Sequence, residues 1–237
     1  MAKDKKPGLK MVNLSQLPKV TIKFAQTLDG KIATIKNESR WISGKKSLVF
    51  AHKLRSQNQA ILVGIGTIRK DDPHLTIRMV KGENPQKIIL DSKLSIGLNF
   101  KVLKKYPQKT IIATTNQAPL KKIKKLEKLG AKVLVVKRAK RGVDLYDLLK
   151  KLKKQKINSI LVEGGAEVIT SFLKKMLFNR IIIVIAPKVF GKGKNNIDQR
   201  EIKRAFKPFL FSSRRIYKLE NDVIFDGILD KSKKTNC

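Results

Sequence analysis

Apolar positions follow two different periods along the middle of the chain. Short runs of β-branched and aliphatic residues, each bounded by turn-forming residues, predict strands, and the wholly apolar runs predict strands buried on both faces. The predicted strands are residues 20–27, 60–64, 87–91, 110–115, 132–136, 159–163 and, within the apolar stretch 180–191, a strand that Pro187 closes.

Between these runs, apolar residues recur every three or four positions, which is the period of an amphipathic helix. Residues 46–57 show this spacing, and residues 143–152 show it with Leu145, Leu148, Leu149 and Leu152. A further helix is expected to begin near Pro119, to turn Leu120, Ile123, Leu126 and Leu129 inward, and to end at Gly130.

Strands that alternate with helices and are nearly all apolar predict an α/β fold with a mainly parallel central sheet and helices on both faces. Residues 214–221 and 222–229 predict an antiparallel C-terminal hairpin at one edge. Residues 1–17 and 230–237 lack periodicity and are expected to be flexible tails, the first one basic. Residues 18–229 are therefore expected to form one domain.

The formal net charge of the 237 residues is +36, which by itself favours a partner such as nucleic acid. The lysines, however, are spread over helices, loops and both termini and form no single stripe with exposed aromatic residues. A nucleic-acid function is therefore the less favoured interpretation. The charge should instead raise the local concentration of phosphorylated small molecules.

Cys237 is the single cysteine, so the chain can form neither an internal disulfide nor a cysteine-based metal site. No apolar stretch approaches the roughly 20 residues that cross a bilayer, and no signal core follows the charged N-terminus. These features predict a soluble protein of the cytoplasm.

Ligands of open α/β sheets bind beyond the carboxyl ends of the strands, so the residues that follow each strand are candidates for function. Glu163 ends the strand at 159–163, and Gly164 and Gly165 form the turn from that strand to a helix. Glycines allow positive φ and close approach of a ligand, and a helix N-terminus attracts phosphate. In the alternative interpretation, the glycines form only a tight turn and Glu163 caps the helix.

Three further stretches follow strands or turns. Gly64, Gly66 and Thr67 come directly after one strand, and Asp71 and Asp72 precede Pro73, which disfavours a helical Asp72. Asp29–Gly30 is a turn candidate, and Trp41 lies in a polar loop. Each of these is, taken separately, also compatible with an ordinary loop.

In this order and spacing, the stretches TLDGKIA, ESRWISG, LRSQNQAILVGIGTIRKDDPHLTIR, KIILDSKL, ILVEGGAEV and IAPKVFG resemble the reductases of riboflavin biosynthesis. The family comprises the reductase half of a bifunctional deaminase/reductase and stand-alone archaeal and fungal reductases. The resemblance implies a dihydrofolate-reductase-like fold and a homodimer. It also implies NADPH-dependent reduction of the ribosyl group of a phosphoribosylaminopyrimidine to ribityl.

Motif matching then assigns roles to positions of this sequence. The implied cofactor-binding residues are Gln26, Trp41, Gly64, Gly66, Thr67, Asp71, Gly164, Gly165, Ala166 and Glu167. The implied substrate-binding residues are Ser39, Arg55, Leu75, Arg78 and Glu163, with the two arginines suited to a phosphate group. Lys23 and Glu163 are the candidates for catalysis, whereas His52 and His74 match no family role and are expected to be structural.

The sequence lacks the His-x-Glu and Pro-Cys-x-x-Cys motifs of a zinc-dependent deaminase, so a separate deaminase chain is expected to supply that step. Trp41 in SRWIS favours the deaminated uracil as the substrate, and the undeaminated pyrimidinone is the alternative. Two other functions remain open at this point. One is a dihydrofolate-reductase-like oxidoreductase with another substrate, and the other is a basic binding protein without catalysis.

Overall fold

The computed structural model describes residues 14–36, 38, 42–198 and 209–230. The strands are β1 (Lys19–Thr27), β2 (Lys31–Thr34), β3 (Ala60–Gly64), β4 (Gln86–Leu90), β5 (Thr110–Thr114), β6 (Lys132–Val135), β7 (Ser159–Val162), β8 (Arg180–Ala186), β9 (Gly193–Asn195), β10 (Phe211–Leu219) and β11 (Asp222–Leu229). The helices are α1 (Lys45–Ser56), α2 (Ile65–Asp71), α3 (Lys101–Lys104), α4 (Leu120–Lys128), α5 (Leu145–Lys154) and α6 (Ala166–Lys174). Short 3₁₀ turns occupy Leu14–Gln16 and Pro107–Lys109.

Within the described residues, nine strands form one sheet in the order β10-β11-β8-β1-β7-β3-β4-β5-β6. The strands from β8 to β6 are mutually parallel, and β11 pairs antiparallel with β8 and with β10. The predicted fold class and the C-terminal hairpin are therefore confirmed. A second, small sheet pairs β2 with β9.

Helices cover both faces of the large sheet. Helices α5 and α6 bury one face together with alternate residues of the central strands, including Ile22 and Val162. Helices α2, α3 and α4 bury the other face around Ile61 and Ile89. Helix α1 continues that second layer, where Leu54 packs against Leu161 of β7 and residues of β8 and β11.

The strand that begins at Arg180 ends at Ala186, directly before Pro187, which has no N–H to donate to a strand. The prediction that Pro187 closes this strand is therefore confirmed, whereas the prediction of the inward-facing residues on α4 was wrong in part. Of the four residues expected to face inward on α4, Leu126 is buried, whereas Leu120 and Leu129 are 75% and 42% exposed. Leu120 and Leu129 stand at the two ends of this nine-residue helix, beyond the part that covers the sheet.

Residues 145, 148, 149 and 152 all turn their leucine side chains into the core, as their spacing predicts. No helix in the part of the chain that the structure describes has the length and apolar content needed to cross a membrane. The predicted tails lie almost wholly outside the described residues.

Candidate active site

Lys23 and Glu163 occupy adjacent positions on neighbouring parallel strands. Ile22 of β1 pairs with Val162 of β7, so the next residue on each strand turns to the opposite face, about 5 Å from its neighbour. That face is covered by α1. The two residues predicted to be catalytic are therefore brought together by strand register, beneath one helix.

Glu163 forms a bidentate ion pair with Arg55 of α1. Arg55 Nε donates to Glu163 Oε1 at 3.0 Å and Arg55 Nη2 donates to Oε2 at 2.7 Å. The two side chains are only 14% and 13% exposed. Such a paired fork is among the strongest hydrogen-bonded contacts in proteins, so it fixes the orientation of the carboxylate.

Burial alone would raise the pKa of Glu163, but the charge and hydrogen bonds of Arg55, supported by Lys23, lower it. The carboxylate is therefore ionised at neutral pH. Glu163 caps no helix, because α6 has no side-chain cap and its N-cap residue is Gly165. The alternative interpretation of Glu163 as a helix cap is wrong.

Lys23 differs from Arg55, since it forms no hydrogen bond or ion pair with any residue that the structure describes. Burial lowers its pKa, the attraction of Glu163 opposes that effect, and the charge of Arg55 adds to it. A lowered pKa means that the amine holds its proton less tightly than an ordinary lysine does, which favours proton donation. This property makes Lys23 the side chain of the pair that is suited to proton transfer.

The double-glycine turn joins β7 to α6, as predicted, but neither glycine has positive φ. A Cβ on Gly164 would lie 2.4 Å from Cβ of Val168, and a Cβ on Gly64 would lie 2.9 Å from its Cγ2. These two glycines let α6 pack closely over the ends of β3 and β7. That close packing brings the two glycine-containing loops together.

Gly165 and Gly66 have the opposite surroundings. A Cβ on either residue would meet no atom of another described residue within 4 Å, apart from its own neighbours along the chain, so the backbone there is open to a ligand. Ala166 and Glu167 follow in the first turn of α6, whose free N–H groups and positive dipole end attract anions. These residues fit the diphosphate of a nicotinamide dinucleotide, which requires close approach to the backbone and compensation of its charge.

Helix α2 carries the GxGT and DDP residues. Thr67 lies within α2 and Asp71 ends it. Neither side chain forms a hydrogen bond with the described residues. Asp72, by contrast, accepts a hydrogen bond from Lys101 N at 2.8 Å and adopts the left-handed conformation, so its role is structural.

Leu75 and Arg78 lie in the loop after α2. Leu75 is 3% exposed and has a φ of 51°, which is strained for a bulky residue. Arg78 is exposed, and its main-chain N–H donates to Nδ1 of His52 at 3.1 Å. Because Arg55 is occupied by Glu163 and Thr76 O, Arg78 is the predicted phosphate ligand whose guanidinium is open to solvent.

The carboxyl end of β1 is fixed by contacts that sequence reasoning missed. Gln26 Oε1 accepts a hydrogen bond from Asn196 Nδ2 at 2.7 Å. Asp29 accepts hydrogen bonds from Thr27 Oγ1 at 2.5 Å and Gly191 N at 2.8 Å, which ties two family-like motifs together. Asp29 lies in the stretch TLDGKIA and Gly191 in the stretch IAPKVFG. That both belong to stretches shared with the family is the sequence signal that could have indicated this contact.

Ser39 and Trp41 lie outside the described residues. Among the residues that are described, no three His, Cys, Asp or Glu side chains converge on a position suited to a metal ion.

Comparison with known proteins relates this site to one family. Residues 18–225 match the family model of the RibD C-terminal domain. The riboflavin biosynthesis protein RibD of Aquifex aeolicus is 41% identical over 210 residues, which cover 87% of this chain and 56% of the relative. The 2,5-diamino-6-ribosylamino-4(3H)-pyrimidinone 5′-phosphate reductase of Methanothermobacter thermautotrophicus is 34% identical over 214 residues, covering 88% of this chain and 97% of the relative. The chain thus spans about half the length of the RibD relatives.

Solved structures agree in fold. The diaminohydroxyphosphoribosylaminopyrimidine deaminase/5-amino-6-(5-phosphoribosylamino)uracil reductase of Thermotoga maritima superposes with a TM-score of 0.74 at 28% identity, covering 91% of this chain and 58% of that chain. Dihydrofolate reductase of Enterococcus faecalis, complexed with NADP(H), superposes with a TM-score of 0.50 at 13% identity, covering 90% and 97%. The predicted dihydrofolate-reductase-like fold is confirmed.

Proposed function

The chain belongs to the RibD C-terminal domain family, and from this premise we propose that it is an NADPH-dependent reductase of riboflavin biosynthesis. Its proposed reaction converts the ribosyl group of 5-amino-6-(5-phosphoribosylamino)uracil to ribityl. The observation that carries the proposal is Lys23, which has no hydrogen-bond partner among the described residues, beside the ion-paired Glu163, near the carboxyl ends of the central strands where Gly66 and Gly165 leave the backbone open.

NADPH would bind along that open backbone and supply the hydride. Gly165 and Gly66 permit close approach, and Ala166 and Glu167 present the N-terminus of α6 to the diphosphate. Thr67 and Asp71 offer side chains that form no hydrogen bond with the described part of the chain. Gln26 and Trp41 are further proposed contacts, of which Gln26 is oriented by Asn196.

The reduction converts the C=N bond of the ring-opened sugar imine to C–N, with a hydride added to the anomeric carbon and a proton added to the imine nitrogen. We assign the proton to Lys23, because burial lowers its pKa and its amine has no hydrogen-bond partner among the described residues. Glu163 is held ionised by Arg55, so it accepts hydrogen bonds from sugar hydroxyls and orients the sugar. Close, oriented approach contributes much of the rate of such a transfer.

The substrate's phosphate is assigned to Arg78, whose exposed guanidinium can bind it bidentately. Ser39 and Leu75 are proposed to contact the rest of the substrate. Arg55 was also predicted to bind the phosphate, and this stays a prediction. In the present geometry it would have to leave Glu163 to do so.

The undeaminated 2,5-diaminopyrimidinone is the second candidate substrate. It is favoured by the Methanothermobacter relative, which bears that substrate's name and which this chain covers almost completely. The uracil is favoured by the higher identity to the Aquifex RibD protein and by the name of the Thermotoga structure.

The decisive experiment follows the absorbance of NADPH with both pyrimidine phosphates in parallel, and with NADH as the second cofactor. We expect turnover with NADPH and a higher kcat/KM for the uracil. A higher kcat/KM for the diaminopyrimidinone would reverse the order of deamination and reduction. If neither compound were reduced, the proposed function would be wrong.

We further propose a homodimer in the cytoplasm, with a separate chain supplying the deaminase. The family resemblance supports the dimer, and so do two apolar side chains that share one face of the hairpin, Ile216 and Val223, which are 68% and 39% exposed. Light scattering of the purified protein tests the dimer, because a monomeric mass at micromolar concentration contradicts it.

A further inference from the structure

Three consecutive residues of the loop after α2 are each held by a different side chain. Thr76 O accepts a hydrogen bond from Arg55 Nη1 at 3.3 Å, and Ile77 N donates to Asn84 Oδ1 at 2.8 Å. Arg78 N donates to His52 Nδ1 at 3.1 Å. The loop begins at the strained Leu75, so these bonds hold a conformation that the local sequence does not favour.

His52 is fully buried, and packing alone does not explain a histidine at its position. Because Nδ1 accepts a hydrogen bond, the neutral ring carries its proton on Nε2. Nε2 is buried and has no hydrogen-bond partner among the described residues. A buried donor without a partner costs free energy, which a leucine or phenylalanine would not incur. The acceptor function of Nδ1 is what distinguishes histidine here.

The electrostatic surroundings keep that acceptor available. Burial and the charges of Arg55 and Arg78 lower the pKa of His52 to about 4, against the opposing effect of Glu163. The ring is therefore neutral at pH 7. A protonated ring would carry a hydrogen on Nδ1 and would lose the bond to Arg78.

His52 and Arg55 stand three residues apart on α1, which is one helical turn. Through Arg55, this turn fixes the carboxylate of Glu163 at the reacting sugar. Through His52, the same turn fixes the main chain from which the Arg78 side chain extends. One rigid element thus sets the separation between the reaction centre and the proposed phosphate ligand.

We propose that His52 is a positioning residue, which fixes the main chain of Arg78 and so directs the guanidinium to the phosphate of the substrate. This inference rests on the proposed function, since it takes the substrate to be a phosphate ester bound by Arg78. It goes beyond the sequence-based expectation, in which His52 had only a structural role.

Two conservative variants separate the acceptor function from packing. In His52→Asn the amide oxygen can replace Nδ1, whereas in His52→Gln the amide lies one methylene further along, at the place of Nε2. We expect His52→Gln and His52→Leu to raise the KM for the pyrimidine phosphate about tenfold, with the KM for NADPH unchanged. His52→Asn should stay within about threefold of the wild type. His74→Leu is the matched control, because the described part of the chain contains no hydrogen bond from His74 to Arg78.

A double-mutant cycle with Arg78→Ala tests whether His52 acts through Arg78. In the Arg78→Ala background, His52→Gln should add less than twofold to the substrate KM. The proposal would be overturned if the two substitutions raised the substrate KM additively, or if His52→Gln raised the KM for the pyrimidine phosphate and for NADPH equally. A His52→Gln variant with unchanged kinetics would also overturn it.

Hydrogen exchange gives a readout that does not depend on turnover. The main-chain N–H of Arg78 should lose protection in His52→Gln and keep it in His52→Asn. If the wild-type protein reduced neither pyrimidine, the proposed function would fail, while this exchange comparison would still decide whether His52 holds the loop. Equal protection in both variants would show that it does not.

Discussion

Lys23 and Lys87 are two lysines on strands of the same sheet, and burial lowers the pKa of both. Lys87 is 1% exposed, and its Nζ donates to Val102 O at 2.7 Å and to Lys105 O at 2.6 Å. Lys23 has no such partner within the described residues. Two amines whose pKa is lowered mainly by burial therefore differ in whether the described residues satisfy their hydrogen bonds.

This difference separates a structural from a chemical role. The two carbonyl partners of Lys87 lie in α3 and in the residue after it, so the side chain connects β4 to that segment and has a structural role. It has this role even though burial lowers its pKa to about 8. An amine without partners keeps its donors for a substrate, and Glu163 beside it remains ionised. A shifted pKa alone thus does not indicate a catalytic lysine here, and the proposed role of Lys23 is supported by a shifted pKa together with an amine that has no hydrogen-bond partner among the described residues.

The largest effect is expected from Lys23→Met. Loss of a proton donor typically lowers kcat by about 10²–10⁴-fold, and we expect a fall in this range with NADPH and the pyrimidine phosphate. The free energy of unfolding should not decrease, because the change removes a poorly solvated amine that forms no hydrogen bond with the described residues, although Glu163 attracts it. Steady-state kinetics and urea unfolding measure the two quantities.

Lys87→Met is the matched control for Lys23→Met. It should keep the kcat of the folded enzyme, because Lys87 lies outside the proposed site. If the two variants lost kcat equally, or if Lys23→Met unfolded at lower urea than Lys87→Met, the assignment of chemistry to Lys23 would be wrong.

The second prediction concerns the pH dependence of stability. The pKa of Lys87 is about 8 in the folded protein and 10.5 as the unperturbed value. Between these pH values the unfolded chain binds more protons, so the stability of the wild type should rise with pH relative to Lys87→Met. The full difference is about 3 kcal/mol for such a shift. Urea unfolding of both proteins from pH 7.5 to 10.5 measures this difference. If the free energies of unfolding of the two proteins changed with pH in parallel, the lowered pKa of Lys87 would be contradicted.

The fold could be predicted from the sequence because its determinants are local. Apolar runs gave the strands of the parallel sheet, and the spacing of Leu145, Leu148, Leu149 and Leu152 gave the buried face of α5. The wrong assignments on α4 arose because periodicity does not show where a neighbouring surface ends.

The pairing of side chains could not be predicted in this way. Arg55 and Glu163 are 108 residues apart, and the partners of Lys87 are carbonyl groups of α3 and the residue after it. Such contacts depend on how helices cross the sheet. A pattern of residue types indicates the candidates for the site, but it does not show that the fork of Arg55 is already occupied.

The glycine turn provides the third prediction, with an effect of about 1–3 kcal/mol. Gly164→Ala would place its Cβ 2.4 Å from Val168, and overpacking of this kind costs stability in that range. Gly165→Ala meets no protein atom, so its stability should change little. We expect Gly165→Ala instead to raise the KM for NADPH, because the methyl group occupies the open backbone. An unchanged KM for NADPH in Gly165→Ala would show that the turn is not part of the cofactor site.

The smallest effects are expected for the two aspartates of the DDP motif. Asp72→Ala removes the acceptor of Lys101 N and places alanine at a φ of 37°, so we expect a loss of about 1 kcal/mol of stability. Asp72→Asn keeps a side-chain acceptor, and asparagine also tolerates a positive φ, so this variant serves as the control. Asp71→Ala removes no hydrogen bond within the described residues, so stability should be unchanged while the KM for NADPH rises several-fold. The reverse pattern, with Asp71→Ala unstable and Asp72→Ala impaired in NADPH binding, would show that unpartnered side chains do not indicate the binding site in this protein.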